Sequence, residues 1–136
     1  MTGPERSAGG GVTRFAAVLL DMDGTLVDSD AAVERAWAAW AVEHGVAPDV
    51  LRSLIHGSPA QTTIRHVRPD LAPPDVELAA RRQLSLQYDD LSDVVPTPGA
   101  RQLLSALTVP WAVVTSADRR LATARLGAAG ITPRSW

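Results

Sequence analysis

A chain of 136 residues with 46% hydrophobic and 21% charged residues and a formal net charge of −2 is one domain's worth of sequence, able to bury a modest core. That near-neutral balance gives no electrostatic case for nucleic acid or an anionic membrane surface. Cysteine is absent, which excludes disulfides, thiolate metal sites and thiol chemistry.

No apolar run approaches the roughly 20 residues that span a bilayer. The N-terminus lacks a signal peptide's apolar middle region, so the expected address is the cytoplasm. Met1 to Arg14, rich in Gly, Ser and Thr without periodicity, is expected to be a disordered leader. Phe15-Ala-Ala-Val-Leu-Leu20 is an unbroken apolar run bounded by turn chemistry, which suits a short strand buried on both faces of a parallel sheet. Two carboxylates, Asp21 and Asp23, follow where that strand should stop. Gly24 permits a tight turn and Thr25 adds a hydroxyl beside it. Ligands of open α/β sheets sit beyond the carboxyl ends of the strands, so this acidic tip suits Mg²⁺ and a carboxylate nucleophile. A calcium loop of the helix–loop–helix type fits poorly, because its glycine belongs at the sixth position and here it comes fourth.

Asp30 is expected to cap a helix over Ala31–His44 that Gly45 closes. Val33, Trp37, Trp40 and His44 recur on one face of it; the tryptophans are read as core residues, with ligand stacking as the alternative. Short helices are expected over Asp49–Ile55 and Pro59–Val67, then a proline break, then a long helix over Val76–Leu91 capped by Asp75. No strand pattern occurs between Asp30 and Val94, so residues 30–94 read as a helical insertion between strand-bearing segments 15–29 and 95–136. A helix from Thr97-Pro98-Gly99 to Leu107 leads into a second apolar run, Trp111-Ala-Val-Val-Thr115. Asp118 then caps a last helix to Ala129, which Gly130 ends. A strand–helix–strand crossover makes the two strands parallel and brings Asp21, Asp23 and Thr115 to one sheet edge, with the insertion folded as a cap above them.

Asp21 to Ser29 read Asp-Met-Asp-Gly-Thr-Leu-Val-Asp-Ser after a hydrophobic strand. This resembles the first motif of the haloacid dehalogenase (HAD) superfamily, and Val95-Pro-Thr-Pro-Gly-Ala100 is similar to the segment leading back into the core of members with a helical cap at that place. The resemblance implies an α/β fold, a partial Rossmann-like parallel sheet with an inserted α-helical cap. It also implies a Mg²⁺-dependent hydrolase acting on a small phosphorylated metabolite. In such an enzyme Asp21 attacks phosphorus to give an aspartyl-phosphate, and Asp23 protonates the leaving alkoxide and later deprotonates water. Mg²⁺ takes an Asp21 oxygen and the Asp23 carbonyl. Thr115, matching the second motif, and amides near Met22, Asp23 and Ser116 hold the phosphate. An acid at position 23 favours phosphate esters over halides, since halide leaves without a proton.

His56-Gly57 followed by Thr63-Ile64-Arg65 resembles, more distantly, the caps of sugar-phosphate and glycerol-phosphate phosphatases. It makes His56 and Arg65 candidate substrate contacts, with Arg52 and His66 behind them. The family's third motif supplies a Lys, occasionally an Arg, but all 13 basic residues here are Arg and Arg134 stands in no matching context. The fourth motif, a strand ending in one or two acidic residues, has no counterpart after Thr115. The expectations that follow are a C-terminally truncated chain with little or no phosphatase activity of its own, and an unpaired apolar edge on the first strand suited to self-association. Two alternatives stay open, a non-catalytic remnant and a phosphomutase.

Overall fold

The computed structural model describes residues 13–133, so most of the expected leader, and the last three residues, lie outside the described residues. In chain order the elements are β1 (Val18–Leu20), β2 (Val27–Asp28), α1 (Asp30–His44), α2 (Pro48–Leu51), α3 (Ala60–Val67), α4 (Pro73–Leu86), β3 (Val95–Pro96), α5 (Ala100–Ala106), β4 (Trp111–Val113) and α6 (Arg119–Ala128). The fold is α/β. β1 and β4 pair in parallel with Val18 opposite Trp111 and Leu20 opposite Val113.

Around that pair lies an apolar cluster of Met22, Leu26, Val27, Val94, Val113, Ala122 and Leu126, among others. β1 is shorter and more exposed than the apolar run suggests: Phe15 precedes the strand at 69% exposure, and Leu19 is 71% exposed. The strand is therefore covered on one face, not two. Among the described residues it has one hydrogen-bonded neighbour, β4, and nothing covers the face that carries Leu19.

A second cluster, separate from the first, is built by α1 to α4 from Trp37, Trp40, Ala41, Leu51, Ile55, Ile64, Val76, Ala79 and Ala80. Trp40 is fully buried, donates its indole N–H to Ala79 O at 3.0 Å, and stacks on His44 with ring centroids 4.1 Å apart. Both tryptophans of α1 are thus packing residues, Trp37 at 3% exposure.

The starts of α1, α4 and α5 differ from expectation in ways the contacts explain. Asp30 is the first residue of α1 and Ser29 its N-cap; the Ser29 hydroxyl is turned to Asp23, and Asp28 Oδ1 instead accepts from Asp30 N at 3.2 Å. α4 begins at Pro73, whose missing N–H costs nothing in a first turn, and Asp75 lies inside that turn instead of capping it. Pro98 stays outside α5, since Gly99 at φ +83° turns the chain before the helix begins. α6 matches expectation: Asp118 accepts from Leu121 N at 2.8 Å.

β2 and β3 form a two-residue antiparallel pair, Val27 opposite Pro96 and Asp28 opposite Val95, which no sequence pattern announced. It clamps together the two chain segments that leave for and return from the helical insertion. The Arg35 guanidinium adds a second clasp, bonding both Asp93 carboxylate oxygens (2.7 and 2.8 Å) and Asp90 O (3.0 Å). Its hydrogen bonds hold the Asp93 carboxyl below the usual carboxylate range.

Replacing Trp40 by Ala empties the centre of the helical cluster and deletes its one indole hydrogen bond. The expected loss is about 3–5 kcal/mol, read as a lowered urea midpoint of unfolding.

Candidate active site

The acidic tip is a turn closed on its own backbone. Met22 O accepts from the N–H groups of Thr25 (3.2 Å), Leu26 (2.8 Å) and Val27 (3.1 Å), and Gly24 N donates to Val27 O at 2.8 Å. Met22, Leu26 and Val27 are fully buried and anchor the turn, while Asp21, Asp23, Gly24 and Thr25 face outward. Gly24 sits at φ +76°, a region that side-chain-bearing residues seldom occupy. Thr97 Oγ1 donates to Thr25 O and ties the turn to the returning segment.

The β1–β4 register carries the rest. Val114 N donates to Leu20 O at 2.8 Å, so Asp21 and Thr115 leave the sheet on the same edge. Both line a cleft of about 480 Å³ that also receives Asp23, Gly24, His56 and Ser116. An adjoining cleft of about 450 Å³ runs between the helical cap and the core. Asp23, Ser116 and His56 border it again, with Gln83, Gln87 and Arg125 at its back.

Within this pair of clefts the two carboxylates differ. Asp21 is exposed, and its Oδ1 accepts from the N–H of the next residue, Met22, at 2.8 Å. Asp23 is held from two sides. Ser29 Oγ donates to its Oδ1 at 2.7 Å, and Arg125 Nη1 donates to Oδ1 and Oδ2 at 3.2 and 3.1 Å. The Arg125 side chain is 6% exposed against 39% for Asp23, so the cation lies beneath the acid. Arg125 also donates through Nη2 to Gln87 Oε1, and Gln87 Nε2 donates to Gln83 Oε1 at 2.6 Å. Gln83 Nε2 and Arg125 Nε are buried with no hydrogen-bond partner among the described residues.

The sequence candidates are placed as follows. Asp21, Asp23, Thr115 and Ser116 come together at the cleft. The Met22 side chain is in the core, and its amide serves the Asp21 carboxylate. Thr115 Oγ1 accepts from Ala117 N at 3.2 Å, shaping the turn into α6. His56 does reach the site, with its ring nitrogens 3.7 Å from Asp30 Oδ1 and 3.5 Å from Glu34 Oε1. Arg65 does not: it lines a different cleft of about 280 Å³ with Arg68, Pro69 and Pro73. The reason is helical phase, since α3 buries Thr63 and Ile64 and turns Arg65 to its exposed side.

Arg125 was missed in the sequence reading. Its one signal is position: Ala122, Arg125, Leu126 and Ala129 recur at helical spacing, and an Arg inside a buried stripe demands a partner.

For a metal, the oxygen donors at the tip are the Asp21 carboxylate and the Asp23 main chain, the Asp23 carboxylate being engaged by Arg125 and Ser29. No cluster of three or more His, Asp or Glu able to hold an ion is found among the described residues. Hard oxygen donors in small number nevertheless fit Mg²⁺, which keeps several waters and takes one or two carboxylates beside a phosphate.

The model of the haloacid dehalogenase-like hydrolases matches residues 15–135. Hexitol phosphatase A of Escherichia coli strain K12 is 40% identical over 121 residues, covering 87% of this chain and 56% of that protein. The 2-deoxyglucose-6-phosphate phosphatase 1 of Saccharomyces cerevisiae is 34% identical over 117 residues, covering 76% of this chain and 47% of that protein. The chain thus spans about half the length of the curated relatives it matches. Among solved structures, a haloacid dehalogenase-like family protein from Streptococcus pneumoniae superposes with a TM-score of 0.74 at 22% identity, over 88% of this chain and 59% of that one. At that identity the likeness speaks for the fold.

A methyl group on residue 24 would meet nothing within 4 Å, so Gly24→Ala tests the backbone alone. The left-handed φ should cost about 1 kcal/mol, seen as a lower denaturant midpoint with an unchanged slope.

Proposed function

The chain belongs to the haloacid dehalogenase-like hydrolase family, and from that premise we propose that it serves phosphoryl transfer from a small sugar or polyol phosphate to Asp21. The observation that carries the reading is the shared cleft. An exposed carboxylate, a second carboxylate two residues on, and a Thr–Ser pair from a neighbouring parallel strand all open onto it. The relatives named above as hexitol and 2-deoxyglucose-6-phosphate phosphatases support the substrate class.

In this reading Asp21, the less encumbered carboxylate, attacks phosphorus in line with the departing oxygen and becomes an aspartyl-phosphate. Asp23 gives a proton to that oxygen and later takes one from water, which then attacks the phosphorus and frees Asp21. Thr115 and the amide of Ser116 donate to the phosphate oxygens. Residues 30–94 act as the cap over the cleft, with His56 reaching toward the substrate hydroxyls. Asp21 and the Asp23 carbonyl would hold Mg²⁺, which supplies charge neutralisation between carboxylate and incoming phosphate. A cytoplasmic location goes with this reading.

Incubation with Mg²⁺ and hexitol 6-phosphate or acetyl phosphate should place one hydroxylamine-labile phosphoryl group on the protein, and none on Asp21→Asn. The sparse metal donor set favours a competing reading, a non-catalytic remnant. Intact mass spectra showing no phosphoryl adduct at saturating donor would decide for that remnant.

The exposed Leu19 and Phe15, beside an edge of β1 that pairs with no strand among the described residues, support self-association as a further property. Sedimentation velocity should show a mass rising with concentration, and Leu19→Lys should hold the chain at monomer mass.

A further inference from the structure

Arg125 is buried, belongs to the core helix α6, and touches both the core carboxylate Asp23 and the cap residue Gln87. A guanidinium presents its donors in a fixed fork, so a shift at one contact rotates the others. Gln87 closes α4, packed in turn through Gln83, whose side chain is 1% exposed. The two terminal nitrogens of Arg125 thus carry its contacts to Asp23 and Gln87, while Nε is buried without a partner among the described residues.

We propose that Arg125 is a positioning residue which couples the seat of the cap to the orientation of the Asp23 carboxylate, through the Arg125–Gln87 hydrogen bond. This rests on the phosphoryl-transfer reading for its meaning, since an acid that must reach the leaving oxygen has to be aimed. Its mechanics rest on the contacts alone. With the cap seated, Gln87 draws one arm of the guanidinium toward α4, and the other arm fixes both carboxylate oxygens beside Ser29. When α4 withdraws, the fork is free to turn and Asp23 keeps only the Ser29 hydroxyl. Productive aim of the acid would then accompany cap seating, and an open cleft would carry a misaligned one.

A second cap-to-core contact provides the control. Tyr88 donates its hydroxyl to Asp118 Oδ1 at 3.3 Å, and the Arg120 guanidinium lies 4.3 Å from the Tyr88 ring centre. Burial, and then the Asp118 carboxylate, push the Tyr88 phenol above its ordinary range. Tyr88→Phe removes this one hydrogen bond and leaves the Gln87–Arg125 bond that holds the fork in place.

Nitrogen-15 NMR of the arginine side chains reads the fork without any turnover. The Arg125 guanidinium, assigned by the loss of its signal in Arg125→Lys, should show hindered rotation about its terminal bonds. That hindrance should disappear in Gln87→Leu, survive in Gln87→Glu, whose carboxylate still accepts, and survive in Tyr88→Phe. A hindered signal that persists in Gln87→Leu would overturn the proposal.

The kinetic arm is a double-mutant cycle on Asp21 phosphorylation. Gln87→Leu should slow it roughly tenfold with KM little changed, and should have no further effect in an Arg125→Met background. Additive effects would show that Gln87 acts by another route. If the parent protein forms no phosphoenzyme, the function reading fails and the spectra alone decide the coupling.

Discussion

The site depends on one constraint: the turn from Met22 to Val27 must hold three fully buried side chains in the core while it projects two carboxylates out of it. Three N–H groups converge on Met22 O, so the turn closes without help from any ligand. Burying Met22, Leu26 and Val27 contributes on the order of 1.5–3 kcal/mol each, which offsets the cost of ordering a tight acidic loop. The in–out alternation follows directly. Asp21 and Asp23 flank a buried residue, so both leave the same side of the strand end. The parallel partner β4 then needs only its register to deliver Thr115 beside them.

What was legible in the sequence was whatever local chemistry determines. Asp118 caps α6 because a carboxylate three residues before an amide in an apolar-periodic stretch has one good use. Gly45 ends α1 at φ +64° because only glycine takes that turn cheaply. α4 was misjudged at its start because Pro73 and Pro74 read as breakers, although a first helical turn has no use for their missing N–H groups. β2 and β3 were invisible for a different reason. Two residues cannot show a period, and their pairing joins positions that are neighbours only after the whole cap has folded between them.

The same division runs through the site. The meeting of Asp21, Asp23, Thr115 and Ser116 at one cleft was readable because strand ends and turns are local. His56 and Arg65 were equally plausible on paper, and only the phase of α3 and the loop at Gly57 separate them. Arg125 lies 102 positions from the carboxylate it holds. A lone Arg on a helix is usually a solvated one, and its burial becomes evident only when α6 is packed against the tip.

The joint between cap and core follows from how the two apolar clusters are drawn. They do not merge: α1 begins with Ala32 in the core cluster and continues with Trp37, Trp40 and Ala41 in the cap cluster. The side-chain hydrogen bonds Arg125 to Gln87 and Tyr88 to Asp118 cross between insertion and core, beside the apolar contact of Leu91 on the core cluster. Continuous apolar packing would weld the cap down, because each displaced side chain would meet water. Hydrogen bonds and exposed ion pairs exchange with water at little net cost, on the order of 1 kcal/mol each. Each half therefore has its own buried core, and the contacts that span the cleft are of the kind that part and re-form. The proposed phosphoryl transfer, which would admit a polar metabolite and then exclude water, suits a seam of that kind. The Arg125 fork lies on that seam, with one arm on Asp23 and the other on Gln87.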